Sequence, residues 1–129
     1  MQVKDPIGIR LVRIAGIYML IGLGAGLYVA ISKDFALMSV HSHLALVGWA
    51  TMAIAGLVYR AWPVLAEGRL ARWHFWLHNG GLPVMMVSLA FKAYGHTGAE
   101  PMVGVGSIVV LLGLLLFVVN LFRSPDTGV

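Results

Sequence analysis

Residues 39–63 read SVHSHLALVGWATMAIAGLVYRAWP, an apolar stretch with two histidines, His41 and His43, just inside one end. A helix needs about 20 mostly apolar residues to cross about 30 Å of hydrocarbon, and this stretch is long enough. Ionisable side chains at membrane depth are costly and mark functional sites by default. Because imidazole is also the commonest protein ligand for a metal, the stretch predicts both a membrane fold and a binding site.

The whole chain has the composition of a membrane protein. Of its 129 residues, 60% are hydrophobic and 11% are charged, and the mean hydropathy is +0.89. Soluble domains are about 45–50% apolar and about 25% charged. The net charge of +4 is interpreted as loop residues facing anionic lipid rather than as a nucleic-acid contact. We therefore expect a lipid bilayer as partner and no nucleic acid.

Four apolar segments predict an all-α fold in a single transmembrane domain, residues 1–129. They cover about residues 9–31, 36–60, 73–94 and 102–122. Short links force consecutive helices to be antiparallel neighbours, so we expect an up-down bundle of four transmembrane helices. The first segment is expected to be retained, because its apolar run of about 20 residues is too long for a signal-peptide core.

The basic residues predict the orientation of this bundle. Lys33 and Lys92 lie at one side and all other lysines and arginines lie at the opposite side. Cytoplasmic loops carry the excess of basic residues, so both termini are expected in the cytoplasm, with the chain in the inner (plasma) membrane of a bacterium. His41 and His43 then lie near the outer face. The cytoplasmic set is Lys4, Arg10, Arg13, Arg60, Arg69, Arg72 and Arg123.

His41 and His43 are predicted to face different neighbours. Residues i and i+2 of a helix point about 200° apart, so the two rings cannot bind one iron from the same helix. They serve two sites, or one site and one packing contact. The alternative is that both are interfacial histidines, hydrogen-bonded to loop groups or lipid headgroups.

The other three histidines are less favoured as ligands. His74 and His78 share a helix face, as two metal ligands on one helix would. His74 is expected at the membrane boundary in a structural role. His78 lies one turn deeper, but by helical rise it is about half a membrane from His43. His96 is in the outer loop on the same side as His41.

Other chemistries find little support in the sequence. The chain has no cysteine, which excludes disulfides, thiolate metal sites, covalent c-type haem and iron–sulfur clusters. All five acidic residues lie in termini or loops, so a Ser/His/acid triad lacks its buried acid and no intramembrane carboxylate is available for proton or ion coupling. An enzymatic role is therefore less favoured, though it stays open.

Three blocks follow one another along residues 36–122: His41-Ser42-His43 with Trp62-Pro63, then RWHFWLHNGG at 72–81, then GVGS at 104–107. Together they resemble parts of subunit I of the haem-copper oxidases and of the large subunit of nitric oxide reductases. Residues 72–81, RWHFWLHNGG, are similar to the family's K-I-H-F-W-L-x-N-x-G start of a helix, and residues 104–107, GVGS, resemble the start of its last helix. The preceding helix of the family opens with H-x-H and closes with an aromatic residue and proline. Its counterparts are His41-Ser42-His43, Gly48, Ala53, Gly56, Tyr59 and Trp62-Pro63.

The resemblance implies a non-covalent haem b. His41 would be the proximal ligand of a high-spin haem and His43 an axial ligand of a low-spin haem, and the apolar Leu44 and Val47 suit contact with the macrocycle. The family's twelve helices, copper-binding histidines and cross-linked tyrosine have no counterpart in four helices, so oxygen reduction is not expected. Missing axial ligands would come from further copies of the chain, which predicts a homo-oligomer, a dimer or trimer.

Three functions follow from these observations. The first is a small integral membrane b-haem protein for electron transfer or haem and gas-ligand binding, with a respiratory-chain redox partner. The second is a cofactor-free membrane module that assembles with or regulates a respiratory complex. The third is a residual oxidase or nitric-oxide-reductase-like enzyme with an additional metal. Haem content and the coordination state of the iron distinguish the three.

Overall fold

The computed structural model describes residues 6–123, which are helical almost throughout and contain no strand in that range. The predicted all-α class is therefore confirmed for this part of the chain. Lys4 and both termini, which entered the predicted orientation, lie outside the described residues. The elements are α1 (Pro6–Ser32), a 3₁₀ turn (Phe35–Leu37), α2 (Met38–His43), a π-helical segment (Leu44–Ala50), α3 (Thr51–Ala61), α4 (Pro63–Ala66), α5 (Arg69–Ala93), a second 3₁₀ turn (Thr97–Ala99) and α6 (Glu100–Arg123).

Three helical stretches are long and apolar enough to cross a membrane. They are Ile7–Ser32, Phe35–Ala61 and Thr97–Arg123, and they correspond to the first, second and fourth predicted spans. α5 has 25 residues but does not belong to this set, because its arginines, histidines and asparagine lower its mean hydropathy. α1 and α6 extend one to three residues beyond their predicted bounds at both ends. The second stretch covers its predicted bounds only together with the 3₁₀ turn that precedes Met38, and α5 begins four residues earlier and ends one residue earlier than predicted.

Tight turns reverse the chain between the long helices. After α1, Lys33 adopts a left-handed conformation with φ of 58°, and the Asp34 carboxylate caps the following 3₁₀ turn by accepting from the Ala36 N–H at 3.0 Å. After α3, Trp62 leaves the helical conformation with φ of −126° and ψ of 81°, and Pro63 opens α4, where a proline lacks only an N–H that would be unsatisfied anyway. Gly95, with φ of +91°, ends α5. These turns make the neighbouring long helices antiparallel.

The long helices pack as two hairpins. In one, α1 lies against the second rod, which is the continuous helical stretch 38–61; in the other, α5 lies against α6. Glycines allow close approach in both hairpins: an added Cβ would lie 2.9 Å from Tyr18 Cβ at Gly48 and 2.6 Å from the Met85 backbone nitrogen at Gly106. Small residues at helix interfaces bring the backbones together, which is how membrane helices gain packing energy.

The two hairpins are joined by buried contacts between the second rod, α4, α5 and α6. The Asn120 side-chain amide on α6 donates to the Leu65 carbonyl in α4 at 2.7 Å. Phe117 on α6 packs edge-on to Tyr59 of the second rod, with ring centroids 5.5 Å apart. Large apolar side chains cover the outside of α1 and α6, as expected for helices that face lipid.

Candidate functional site

His41 lies between α2 and α1, with its ring held by the backbone of α1. Its Nδ1 is 2.7 Å from the Gly22 carbonyl oxygen. Because a carbonyl oxygen can only accept, Nδ1 carries the proton and donates it. The ring occupies space that Gly26 leaves open, since a Cβ there would be 2.7 Å from the ring Cε1. In the neutral form of the ring, the lone pair of Nε2 is then available to another partner.

A cleft of about 180 Å³ opens beside His41, between α1 and the second rod. Apart from the two rings of His41 and Trp49, its walls are apolar. Pockets that enclose a small ligand measure about 300–1,000 Å³, so one chain covers a bound group here only in part. The lining residues are Met19, Gly22, Leu23, His41, Ala45 and Trp49.

His43 is half-buried and is held by its own helix. Its Nδ1 lies 2.7 Å from the Ser39 carbonyl oxygen, one turn earlier, so Nδ1 is again the donor and Nε2 keeps its lone pair. Within residues 6–123, no hydrogen bond reaches Nε2 of His41 or of His43. Both rings are thus fixed in the tautomer that a metal-binding histidine needs.

The remaining predicted contact residues lie in different surroundings. Leu44 is 3% exposed and belongs to the core, with its Cβ 3.2 Å from where a Gly22 Cβ would be. Val47 is half-buried and packs against that core. His96 is exposed beside the second 3₁₀ turn, its ring edge-on to Phe91 at 5.6 Å. Contact of Leu44 or Val47 with a macrocycle stays a prediction, as does ligation by His96.

A second polar arrangement is buried where the second rod meets α5. Tyr59, His74 and His78 are each 0% exposed. The Tyr59 hydroxyl is 2.9 Å from His74 Nδ1, His74 Nε2 is 3.2 Å from His78 Nδ1, and His78 Nε2 is 3.0 Å from the Val47 carbonyl oxygen. We call these four groups the buried chain. It connects α3, α5 and the π-helical segment through the protein interior.

The donors of the buried chain all point the same way when both imidazoles are neutral. The Val47 oxygen only accepts, so His78 Nε2 donates to it and His78 Nδ1 must accept. His74 Nε2 therefore donates to His78, and His74 Nδ1 accepts from the Tyr59 hydroxyl. All four ring nitrogens have a defined partner. A fully satisfied buried network of this kind rigidifies the helices that carry it.

The structure adds complete burial to the sequence prediction for His74. His74 was expected in a structural role at the membrane boundary, and its ring packs fully buried against Phe117, at a centroid distance of 5.0 Å. Its depth in the membrane stays a prediction. His78 bonds to neither His41 nor His43. Its ring nonetheless reaches the carbonyl of Val47, which is one helical turn beyond His43.

Sequence reasoning missed Tyr59 as a member of a polar network. A signal was present: only a short connection separates Tyr59 from His74, and antiparallel helices joined by a short connection place such residues at similar depth. The π-helical segment had no such signal, because its sequence LALVGWA is apolar throughout. Its Val47 carbonyl could not be assigned as an acceptor in advance.

Among residues 6–123, no group of three or more histidine and carboxylate side chains could hold a metal ion. The histidines instead fall into two separate rings on α2, one pair on α5 and one ring in a loop. Comparisons of the chain with protein-family models, with curated proteins and with solved structures found no match.

Proposed function

We propose that this chain is an integral membrane protein that binds b-type haem through His41 and His43 and serves electron transfer or the binding of haem and gaseous ligands. The observation that carries the proposal is the tautomer of the two rings. Each Nδ1 donates to a backbone carbonyl at 2.7 Å, so each Nε2 presents a lone pair. Ligating histidines almost always donate their other ring N–H in this way, which fixes their orientation.

The number of ligands favours haem over a bare metal ion. A structural or catalytic zinc site takes three or four protein ligands, whereas the described residues contain no group of three suitable side chains. Haem iron takes its equatorial ligands from the porphyrin and needs only axial ones from the protein. When bound, haem would supply one-electron exchange, or a position for small ligands if only one histidine ligated the iron. The nitrogens that would hold the iron are Nε2 of His41 and of His43, whose rings are held in place by the Gly22 and Ser39 carbonyls.

Self-association would supply the second haem ligand and the enclosing surface that one chain lacks. His41 and His43 are two residues apart and point in different directions. The cleft beside His41, at about 180 Å³, is too small to enclose a macrocycle within one chain. In a parallel dimer or trimer, equivalent histidines of neighbouring copies lie at the same membrane depth. A second copy then provides both the cover and the second axial ligand.

We also infer that α5 is a fourth membrane span. The low mean hydropathy of α5 comes partly from His74 and His78, which are 0% exposed and would not contact lipid. Its outward face carries large apolar side chains such as Val87 and Phe91. Four spans place both termini on one side, and the distribution of basic residues makes that side the cytoplasm of a bacterial inner membrane.

Replacing the proposed ligands tests the proposal directly. Purified wild-type protein is expected to carry near-stoichiometric haem b, with a sharp reduced alpha band, by ultraviolet–visible spectroscopy and a pyridine haemochrome assay. His43→Ala and His41→Ala are each expected to remove haem or to change its coordination state. Ser42→Ala changes a polar side chain that lies between the two histidines and donates to the Met38 carbonyl, and it serves as the matched control. A wild-type protein that stays colourless after haem is supplied during expression would refute the proposal and favour the cofactor-free module.

Two neighbouring glycines of α1 give a finer test of His41. A Cβ at Gly26 would lie 2.7 Å from Cε1 and 2.8 Å from Nδ1 of the His41 ring, whereas a Cβ at Gly24 meets nothing within 4 Å. Gly26→Ala is therefore expected to displace the ring from Gly22 and to weaken haem binding by about 10–100-fold, the usual cost of losing an outer-shell partner. Gly24→Ala should bind haem as the wild type does. Equal haem affinity in the two variants, measured by haem titration, would remove His41 from the site.

A further inference from the structure

Four large side chains form one stripe at the start of α5. Arg69, Arg72, Trp73 and Trp76 follow the spacing i, i+3, i+4 and i+7, which places them on one face of a helix. Together they line a groove of about 470 Å³, which we call the Arg–Trp groove. Trp73 is 59% exposed and Trp76 is 68% exposed. The groove is therefore open to the surroundings and takes no part in the packing of α5 on α6.

The two arginines of the groove have no acidic partner in the described part of the chain. Within residues 6–123 the only ion pair joins Lys92 and Glu100, at the other end of α5. Glu67, the nearest acid in sequence, forms no ion pair with Arg69 or Arg72. Two guanidinium groups thus point into the same groove with their charges uncompensated. Such a pair attracts an anion, and a guanidinium fork matches a phosphate in particular.

The position of these arginines on α5 is locally unfavourable. The N-terminus of a helix carries a partial positive charge, so acidic rather than basic residues stabilise the first turn. α5 has no acidic residue in its first turn, and its N-cap, Gly68, provides no side chain to accept the first N–H groups. A bound anion would compensate both the helix dipole and the arginines. Basic residues in the first turn of a helix depart from the usual preference for acidic ones, and such departures are expected where a residue serves a function.

The two tryptophans identify the kind of anion. Amphipathic indole rings are enriched at the level of lipid headgroups. Arg69 and Trp76 are separated by about 10 Å of helical rise. This spacing is comparable with the headgroup layer, which adds about 5–8 Å to each side of the hydrocarbon core. With α5 crossing the membrane as proposed above, the arginines would lie at the depth of a phosphate and Trp76 at the depth of the glycerol and upper acyl chains.

We propose that the Arg–Trp groove binds an anionic phospholipid, with the headgroup phosphate between Arg69 and Arg72 and the glycerol and upper acyl chains against Trp73 and Trp76. The site rests on the proposed location of α5 at the membrane boundary, but it requires neither haem nor the histidines of α2. It gives the protein a preference for one lipid class beyond its general affinity for a bilayer.

The proposal can be tested by native mass spectrometry of the full chain in detergent, titrated with phosphatidylglycerol or with phosphatidylcholine. Phosphatidylglycerol is expected to bind at least tenfold more tightly. Each arginine near an anionic lipid contributes about 1 kcal/mol, so Arg69→Gln combined with Arg72→Gln should weaken the first phosphatidylglycerol by roughly thirty-fold. The matched control is Arg10→Gln combined with Arg13→Gln, which removes two exposed charges from the start of α1.

Three outcomes would overturn the proposal. The first is unchanged phosphatidylglycerol binding in the Arg69/Arg72 variant with helical content intact by circular dichroism. The second is an equal loss in the Arg10/Arg13 variant, which would show diffuse attraction to net charge. The third is complete displacement of the lipid by millimolar inorganic phosphate, which would make the groove a phosphate site. Haem content of the Arg69/Arg72 variant, expected at the wild-type level, separates this test from that of the haem proposal.

Discussion

Replacing His74 by leucine is expected to lower the free energy of unfolding by about 2–4 kcal/mol, because a buried polar atom that loses its partner costs about 1–3 kcal/mol. His74 is the middle of the buried chain and bonds on both sides, to Tyr59 at 2.9 Å and to His78 at 3.2 Å. Leucine fills a similar volume, so the loss measures the hydrogen bonds more than a cavity. The measurement is a denaturant titration in mixed micelles, followed by circular dichroism.

The order of a small set of variants tests whether the buried chain acts as a unit. Tyr59→Phe removes the bond to His74 Nδ1 and leaves the bond between His74 and His78 in place. In a protein that already carries His74→Leu, Tyr59→Phe should lower the free energy of unfolding by less than it does in the wild type, because the bond between the two side chains is already absent. His96→Ala, which changes an exposed histidine, should have little effect. Full additivity of the two substitutions would contradict a shared network.

Replacing Gly106 by alanine is expected to destabilise the α5–α6 hairpin by about 1–3 kcal/mol, the usual cost of overpacking. The new Cβ would lie 2.6 Å from the nitrogen of Met85 and 2.9 Å from the Gly81 carbonyl oxygen. These are backbone atoms, which cannot move aside as a flexible side chain can. The two helices must therefore separate along their whole contact.

Gly104 provides a matched control for this substitution, because it is in the same helix and a Cβ there meets nothing within 4 Å. Alanine is a better helix former than glycine by about 0.5–1 kcal/mol, so Gly104→Ala should be neutral or stabilising. The same chemical change, two residues apart, is thus expected to lower the thermal unfolding midpoint at Gly106 and to leave it unchanged or raise it at Gly104. Equal effects at both positions would show that α5 and α6 do not approach as closely as the structure places them.

The fold was more predictable than the site because it depends on the length and apolar composition of whole segments, which are properties of many residues together. The length and apolar composition of the segments around residues 9–31, 36–60 and 102–122 predicted helices able to cross a membrane, and the structure has helices long and apolar enough to do so there. Over α5 the same reasoning gave a span that mean hydropathy does not support. Hydropathy averages over all faces of a helix, so it cannot tell that His74 and His78 point inward.

For the site, the sequence predicted only the relative directions of two side chains on one helix. The spacing of His41 and His43 indicated that they face different neighbours, and they bond to different elements, α1 and their own helix. The acceptors themselves are the backbone carbonyls of Gly22, Ser39 and Val47. Every residue carries a carbonyl, so side-chain identity cannot mark which one is available. The direction of the donors in the buried chain therefore required the three-dimensional arrangement.

The π-helical segment is the place where the two polar arrangements meet on one helix. Thr51 N–H donates to the Leu46 carbonyl, five residues earlier, so the coil is wider here and takes more residues for the same rotation than an α-helix. Val47, whose carbonyl ends the buried chain, lies inside this wide turn, one helical turn after His43. A substitution that restores regular α-helix over Leu44–Ala50 would therefore rotate the His41 and His43 rings relative to His78 and Tyr59.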